Sequence, residues 1–365
     1  MSRALNVAVL MGGPSEEHDV SLKSGHGIVD ALTRRRWSVE PLVIPHALTS
    51  DEACAFVQRA FRRHTPDVAF IALHGAFGED GTIQQLCEEA HVAYTGSDVA
   101  ASRLGMDKAA SRRRFEAAGL SVPRWRLVDL GPDPRGAARR GATSGLGLES
   151  LSYPLVVKPL NQGSSLGVTV VRNAAELPTA LAVAGQYGAQ VLVEEFVPGR
   201  ELTVGILGEE PLPIVEIRPS HPFFDFAAKY TTGLTEYVVP APLAPETAHT
   251  VQAAALAAHR ALGCRHLSRA DLILGRGDVP VLLEVNTIPG FTPTSLLPKA
   301  AAGVGLSYED VCEQLVMMAR HDAAPGRLVL EPPAPAGAAG GSWPAPALMR
   351  GGPGGRTPLA PSASA

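Results

Sequence analysis

The stretch 267–286 holds the residues best suited to chemistry: Arg269, Asp271, Glu284 and Asn286, set in two β-rich runs, 267–274 and 279–286. Gly275-Arg276-Gly277-Asp278 between the runs reads as a hairpin loop. A register centred on that loop brings Asp271 roughly opposite Glu284. Side chains alternate faces along a strand, so Arg269 and Asp271 share one face of the first run, and Glu284 and Asn286 share one face of the second. Two carboxylates and an amide oxygen converging amid Val, Leu and Ile are expensive to leave unpaired. Hard oxygen ligands of this kind suit Mg²⁺ held jointly with nucleotide phosphates. The alternative is an ordinary charged hairpin facing solvent.

Four further clusters stand in a suggestive order. Asn161-Gln162-Gly163-Ser164-Ser165-Leu166-Gly167 joins two apolar runs, and its small residues let backbone N–H groups approach phosphate oxygens, with Lys158 just ahead as a positive charge. Most such loops are plain turns, and no GxxxxGK[ST] occurs anywhere in the chain. Glu194 and Glu195 end an apolar run, where acids beside backbone amides suit an adenine amino group and ribose hydroxyls, or simply a solvated edge. The long segment 223–240, with Lys229, Tyr230 and Gly233, has the make-up of a lid or a surface loop. Near the start, Gly12-Gly13 precedes Glu16, Glu17, His18 and Asp19, so a carboxylate there can receive an ammonium group or decorate a helix N-terminus. His74, after the apolar run 68–73, contacts substrate or braces a loop.

The elements that must carry these groups follow from hydrophobic patterning. Over the first hundred residues, apolar runs at 7–10, 39–44 and 68–73 alternate with helical patterns at 21–35 and 54–63, the rhythm of a small parallel sheet with crossover helices. Ligands of such sheets sit beyond the carboxyl ends of the strands, where the loops 11–21 and 74–82 emerge. Beyond Gly105 the pattern becomes strand pairs, at 155–158, 167–172, 191–196, 201–207 and 212–217, which predicts a mixed or antiparallel sheet. Residues 131–147 read as a surface excursion. After about Leu330 the composition collapses to Pro, Gly, Ala and Ser, too little apolar surface to offset the entropy of ordering, so a disordered tail is expected.

Composition narrows the function class. A chain of 365 residues with 45% hydrophobic content buries a substantial core in two or three lobes. A formal net charge of −4, from 32 basic and 36 acidic residues, gives no reason to expect nucleic acid or an anionic membrane as partner. The four cysteines lie far apart, without zinc spacing, and are expected to be reduced and inert. The apolar run at the start is too short for a membrane span or a secretory signal, which points to the cytoplasm.

Taken in order, these pieces resemble the D-alanine:D-alanine ligase family of the ATP-grasp superfamily. The matching stretches are 12–22 (GGPSEEHDVSL), 72–82 (ALHGAFGEDGT), 94–97 (YTGS), 106–108 (MDK), 156–167 (VVKPLNQGSSLG), 194–204 (EEFVPGRELTV), 228–230 (AKY) and 282–295 (LLEVNTIPGFTPTS). The resemblance implies an α/β chain, α+β in its central and C-terminal lobes, with an ATP-grasp fold behind an N-terminal Rossmann-like parallel-sheet domain. The expected division is a substrate domain at 1–105, a central lobe at 106–205, a C-terminal lobe with metal site and lid at 206–325, and the tail at 326–365. Lys108, Lys158, Glu194, Glu195, Val197, Glu201, Phe223 and Lys229 would hold ATP, and Asp271, Glu284 and Asn286 two Mg²⁺ or Mn²⁺ ions. Glu17 would take the ammonium of the first of two D-alanines, linked by hydrogen bonds to Ser164 and Tyr230, with His74 also facing substrate. Arg269 and the Gly290 N–H would stabilise the tetrahedral oxyanion, and Ser295 and Leu296 would orient the second D-alanine.

The implied activity is ATP-dependent formation of D-alanyl-D-alanine through an acylphosphate, by a homodimer. Gln162 stands where close relatives are expected to carry an acid, and Ser268 and Ala270 flank Arg269 where glycine and isoleucine can occur. A D-alanine:D-lactate or D-alanine:D-serine ligase on the same fold is the alternative; Tyr230 favours the dipeptide product. A nicotinamide enzyme is disfavoured because Gly12-Gly13 is not part of a GxGxxG fingerprint. A non-catalytic descendant is disfavoured by the full charged set.

Overall fold

The computed structural model describes residues 5–131, 146–163, 165–219 and 235–322. The first strands, β1 (Asn6–Gly12), β2 (Ser38–Ile44), β3 (Val68–Ile71) and β4 (Ala93–Tyr94), form a parallel sheet in the order β2-β1-β3-β4. Their helices are α1 (His18–Arg34), α2 (Ser50–Arg63) and α3 (Thr82–Glu89). Helix α2 begins on a capping box, in which the Thr49 hydroxyl accepts from the Glu52 N–H and the Glu52 carboxylate accepts from the Thr49 N–H. It buries Ala53, Val57 and Phe61, spaced four apart as one helix face requires. The parallel sheet expected from the alternating pattern is therefore present. Strand β3 stops at Ile71, so His74 lies in the loop beyond it rather than at the strand end.

After α4 (Val99–Met106) and α5 (Lys108–Ala117), an antiparallel sheet forms from β5 (Trp125–Asp129), β6 (Leu155–Pro159), β7 (Thr169–Val171) and β8 (Gln190–Glu195), in the order β5-β8-β6-β7. Helix α6 (Leu177–Ala184) covers one face, where Leu155, Val157, Val191 and Val193 pack on Leu177, Ala180 and Leu181. A second sheet, also antiparallel, orders its strands β12-β11-β9-β13-β14, with β10 on β9. These are β9 (Arg200–Leu207), β10 (Glu210–Pro211), β11 (Val215–Pro219), β12 (Thr235–Val238), β13 (Leu267–Leu274) and β14 (Pro280–Asn286). Of the strand expected at 212–217, only 215–217 is strand, as the start of β11, while 212–214 lead into it from β10. Behind this sheet lies α7 (Pro245–Leu262), with Val251, Ala255 and Ala258 packed on Leu202, Val204, Ala270 and Leu272. Proline starts α7 at its first turn, and Gly263, at φ +73°, ends it.

The last helices, α8 (Leu296–Ala302) and α9 (Tyr308–Asp322), return to the beginning of the chain. Val311, Leu315 and Val316 of α9 share one core with Val7, Val9 and Ile28, and Trp37 donates to Glu313 at 3.2 Å. Among the described residues no helix is long and apolar enough to cross a membrane. Cys54, Cys87, Cys264 and Cys312 are free thiols, and burial pushes Cys264 up to about 12. Most of the 131–147 excursion, the core of the lid segment and the Pro/Gly-rich tail fall outside the described residues.

Candidate active site

A cavity of about 400 Å³ is lined by both antiparallel sheets. From the first come Val156, Lys158, Glu194 and Glu195, and from the second Glu201, Glu216, Arg269, Asp271 and Glu284. Lys108, Gln162, Gly163, Val197 and Leu296 complete much of the wall. The strand pattern explains the sorting. In β13, Ala270, Leu272 and Leu274 are buried in the core, so the alternate residues Arg269, Asp271 and Ile273 face the cavity.

Across β13, Asp271 pairs with Thr203 of β9 on one side and with Glu284 of β14 on the other. Leu272 pairs with Leu282, so Leu283 is an extra residue, and the bulge turns Leu283 and Glu284 both toward the cavity. The Asp271 carboxylate accepts four hydrogen bonds: Arg269 Nε at 2.8 Å and Nη2 at 2.7 Å, Thr203 Oγ1 at 2.6 Å and Asn286 Nδ2 at 3.1 Å. Arg269 and Asn286 are themselves opposite one another in register.

The facing wall carries a buried charge cluster. Lys158 Nζ lies 2.6 Å from Glu194 Oε1, and Arg112 Nη2 lies 2.8 Å from Glu194 Oε2. Burial alone would raise Glu194, but Lys158 and then Arg112 outweigh it and hold the carboxyl below its usual range. Asp107 caps α5 by accepting from the Ala109 and Ala110 N–H groups, which fixes Lys108 at the first helical position. Lys108 Nζ donates to the Gln162 carbonyl. Burial lowers the Lys108 ammonium, Glu284 opposes this, and Lys158 and Arg112 add repulsion. Glu195, also on the cavity lining, accepts from Arg124 at 3.3 Å and from the Ser152 N–H at 2.8 Å. Gly199 is required by close approach, since a Cβ there would meet the Leu274 carbonyl oxygen at 2.3 Å.

Glu17, His74, Gly290 and Ser295 do not line this cavity. Glu17 and His74 sit where the parallel sheet changes direction, between the loops after β1 and β3, the usual ligand crevice of such sheets. Ser15 ties the loops by donating to the His74 carbonyl at 2.7 Å. Glu17 precedes α1 without capping it, and its Oε2 is 2.8 Å from where a Cβ on Gly75 would stand and 3.6 Å from the same point on Gly163. It therefore lies between the crevice of the parallel sheet and the glycine-serine loop beside the cavity. His74 is buried, 3.1 Å from Ser24 Oγ through Nε2 and 3.3 Å from the Ile288 carbonyl through Nδ1. Burial works to lower it, but the hydrogen bond and charge of Glu79, backed by Glu17, raise it overall. Ser295 precedes α8, its Oγ accepting from the Thr292 N–H at 2.9 Å and lying 3.5 Å from the Cβ position of Gly290. Ser164, Phe223, Lys229 and Tyr230 fall outside the described residues.

Sequence patterning missed two groups. Arg112 stands three residues from Ala109 and three from Phe115, on the buried face of α5, and that placement of a charge was the available signal. Glu216 is held below its usual range chiefly by the hydrogen bond from Arg200, 2.7 Å away, with Arg218 also at 2.7 Å; all three line the cavity.

Comparison with known proteins agrees with this geometry. The family model described as D-ala D-ala ligase C-terminus matches residues 115–317, and D-ala D-ala ligase N-terminus matches 48–97. A D-alanine--D-alanine ligase from Anaeromyxobacter dehalogenans is 43% identical over 310 residues, 85% of this chain and 95% of that protein. The enzyme of the same name from Geobacter sulfurreducens is 41% identical over 318 residues, 87% and 95% of the two chains. The crystal structure of D-alanine--D-alanine ligase from Bacillus anthracis complexed with ATP superposes with a TM-score of 0.74 at 29% identity, covering 88% of this chain and 99% of that one. A D-Ala:D-Ser ligase from Enterococcus faecalis gives 0.71 at 29%, covering 87% and 100%. With relatives above 40% identity spanning nearly their whole length, and the cavity built from the residues that the family motifs supply, this chain belongs to the D-alanine--D-alanine ligase family and has its ATP-grasp fold.

Proposed function

We propose that this protein joins two D-alanines into D-alanyl-D-alanine for peptidoglycan precursor synthesis, converting ATP to ADP and phosphate through an acylphosphate, as a cytoplasmic homodimer. The observation that carries the reading is one cavity lined by Lys108, Lys158, Glu194, Arg269, Asp271 and Glu284. A free carboxylate is a poor acyl donor, so the first D-alanine must take the γ-phosphoryl group before an amine can displace it. Glu194, Glu195, Val197 and Glu201 suit the adenosine end of ATP, and Lys108, Lys158 and Lys229 the phosphates. Phe223 and Lys229, which the family resemblance also assigns to ATP, lie outside the described residues.

Glu17 binds the ammonium of the first D-alanine, with Ser164 and Tyr230 extending the contact and His74 bracing its loop. Arg269 and the Gly290 N–H receive the oxyanion formed when the second amine attacks, a role worth a few kcal/mol per donor, roughly. Ser295 and Leu296 orient that second amino acid, so that the attack proceeds from a bound, aligned pair.

The donor set fits a divalent cation. Among the described residues no three His, Cys, Asp or Glu side chains converge, so the protein's share would be the Asp271 and Glu284 carboxylates with the Asn286 amide oxygen. Phosphate and water oxygens would fill the other positions, the usual way of holding Mg²⁺. Asp271 already accepts four hydrogen bonds and must give up at least one; Asn286 has both a donor and an acceptor end to exchange. When bound, Mg²⁺ or Mn²⁺ neutralises charge on the transferring phosphoryl group.

The test is phosphate release from ATP and Mg²⁺ with D-alanine, D-serine, D-lactate or L-alanine, with products identified by mass. D-alanine-dependent release with the dipeptide as product is expected. The likeness to a D-Ala:D-Ser ligase supports a second reading, and a mixed D-alanyl-D-serine product outweighing the dipeptide would establish it.

A further inference from the structure

Arg112 is among the largest wholly buried side chains, 1% exposed, and it belongs to none of the motifs that identify the family. Its two terminal nitrogens are both used: Nη2 donates to Glu194 Oε2 at 2.8 Å, and Nη1 to the Leu282 carbonyl at 2.7 Å. Its Nε–H has no partner among the described residues. Burying a guanidinium with one donor unanswered is unfavourable, so the position calls for a reason beyond packing. Leu282 is also the residue just before the bulge that aims Glu284, so one side chain ties the two cavity walls together.

The charges give the reason. Glu194 has two oxygens, one taken by Lys158 and one by Arg112. Without Arg112, the buried carboxylate and the Lys158 ammonium would form a closed neutral pair. With it, two cations share one anion, and the trio presents one surplus positive charge at the cavity wall, through the Lys158 donors not engaged by Glu194. Among groups this buried, a single unbalanced charge attracts an anion more strongly than on the surface.

We infer that Arg112 is a positioning residue for polyphosphate: by balancing Glu194 it frees the charge of Lys158 for the phosphates of the nucleotide. The inference rests on the nucleotide reading of the cavity. Its measure is the ratio of the ATP and adenosine affinities, which isolates the contribution of the phosphates from that of the adenine and ribose contacts.

The experiment is calorimetric titration of the full chain with ATP and, separately, adenosine, for the unaltered protein, Arg112→Met, Arg112→Lys and Glu194→Gln, with thermal melts alongside. Arg112→Met should lower the preference for ATP over adenosine by about tenfold, and Arg112→Lys should keep it within about threefold of the parent. Glu194→Gln removes the shared anion and should raise the preference, a direction that survives even if Arg112→Met fails to fold. A preference unchanged in Arg112→Met, or lowered in Glu194→Gln, overturns the inference and leaves Arg112 as scaffold. Failure of the unaltered protein to bind ATP would instead overturn the nucleotide reading itself.

Discussion

Asp271 faces Glu284 because Leu283 is extra. Counting outward from the hairpin loop, Leu274 pairs with Pro280, Ile273 with Val281 and Leu272 with Leu282. Unbroken pairing would next set Asp271 against Leu283 and turn Glu284 to the core face beside Ala270. The bulge inserts one residue, and both carboxylates come to the cavity side.

Deleting Leu283 should therefore close the bulge and leave a regular strand in which Glu284 still opposes Asp271 and Val285 still opposes Ala270. Urea unfolding should place the variant near the parent, and D-alanine-dependent phosphate release should persist; loss of release would show that the bulge itself sets the direction in which Glu284 points.

Glu284→Gln keeps shape and removes charge. Outer-shell partners of metal ligands are worth about 10–100-fold, so a ligand should exceed about 100-fold in turnover. The melting temperature should stay near that of the parent, and near-normal D-alanine-dependent phosphate release would remove Glu284 from the ligand set.

Gly199→Ala would drive a Cβ to 2.3 Å from the Leu274 carbonyl oxygen and 2.5 Å from Ile273 Cγ2, where backbone cannot yield easily. Overpacking of this kind costs about 1–3 kcal/mol. The urea midpoint should fall with an unchanged slope, and because Ile273 lines the cavity, ATP affinity should fall as well.

His259 predicts a pH effect. It is buried, with Nδ1 2.7 Å from Ser268 Oγ, and burial lowers it from 6.5 to about 4. A base whose folded value is depressed binds fewer protons folded than unfolded across that interval. Stability is therefore full above about pH 6.5 and is lost as pH falls toward about 4, by up to about 3 kcal/mol from this group. His259→Gln, neutral throughout, should flatten that limb of a stability-against-pH curve; an identical slope would discount the assignment.

The ordered motifs and the hydrophobic periods determined much of this protein from sequence. Short apolar runs located β1, β2, β6, β8 and β13, and the alternation with helical stretches foretold the parallel first sheet, because both depend on contacts between residues a few positions apart. The hairpin argument brought Asp271 near Glu284 for the same reason.

Tertiary structure alone decided the rest. Whether Glu284 faced core or cavity turned on one bulged residue, which period counting does not register. The buried member of the Arg112, Arg113, Arg114 run was chosen by partners 82 and 170 positions away, Glu194 and Leu282. Glu17 reached Gly163 only once separate loops had met, and α9 packed on the first sheet from the other end of the described chain. Local periodicity fixes which face a side chain takes; its partner across the fold depends on how the sheets pack, and that is set by the whole core at once.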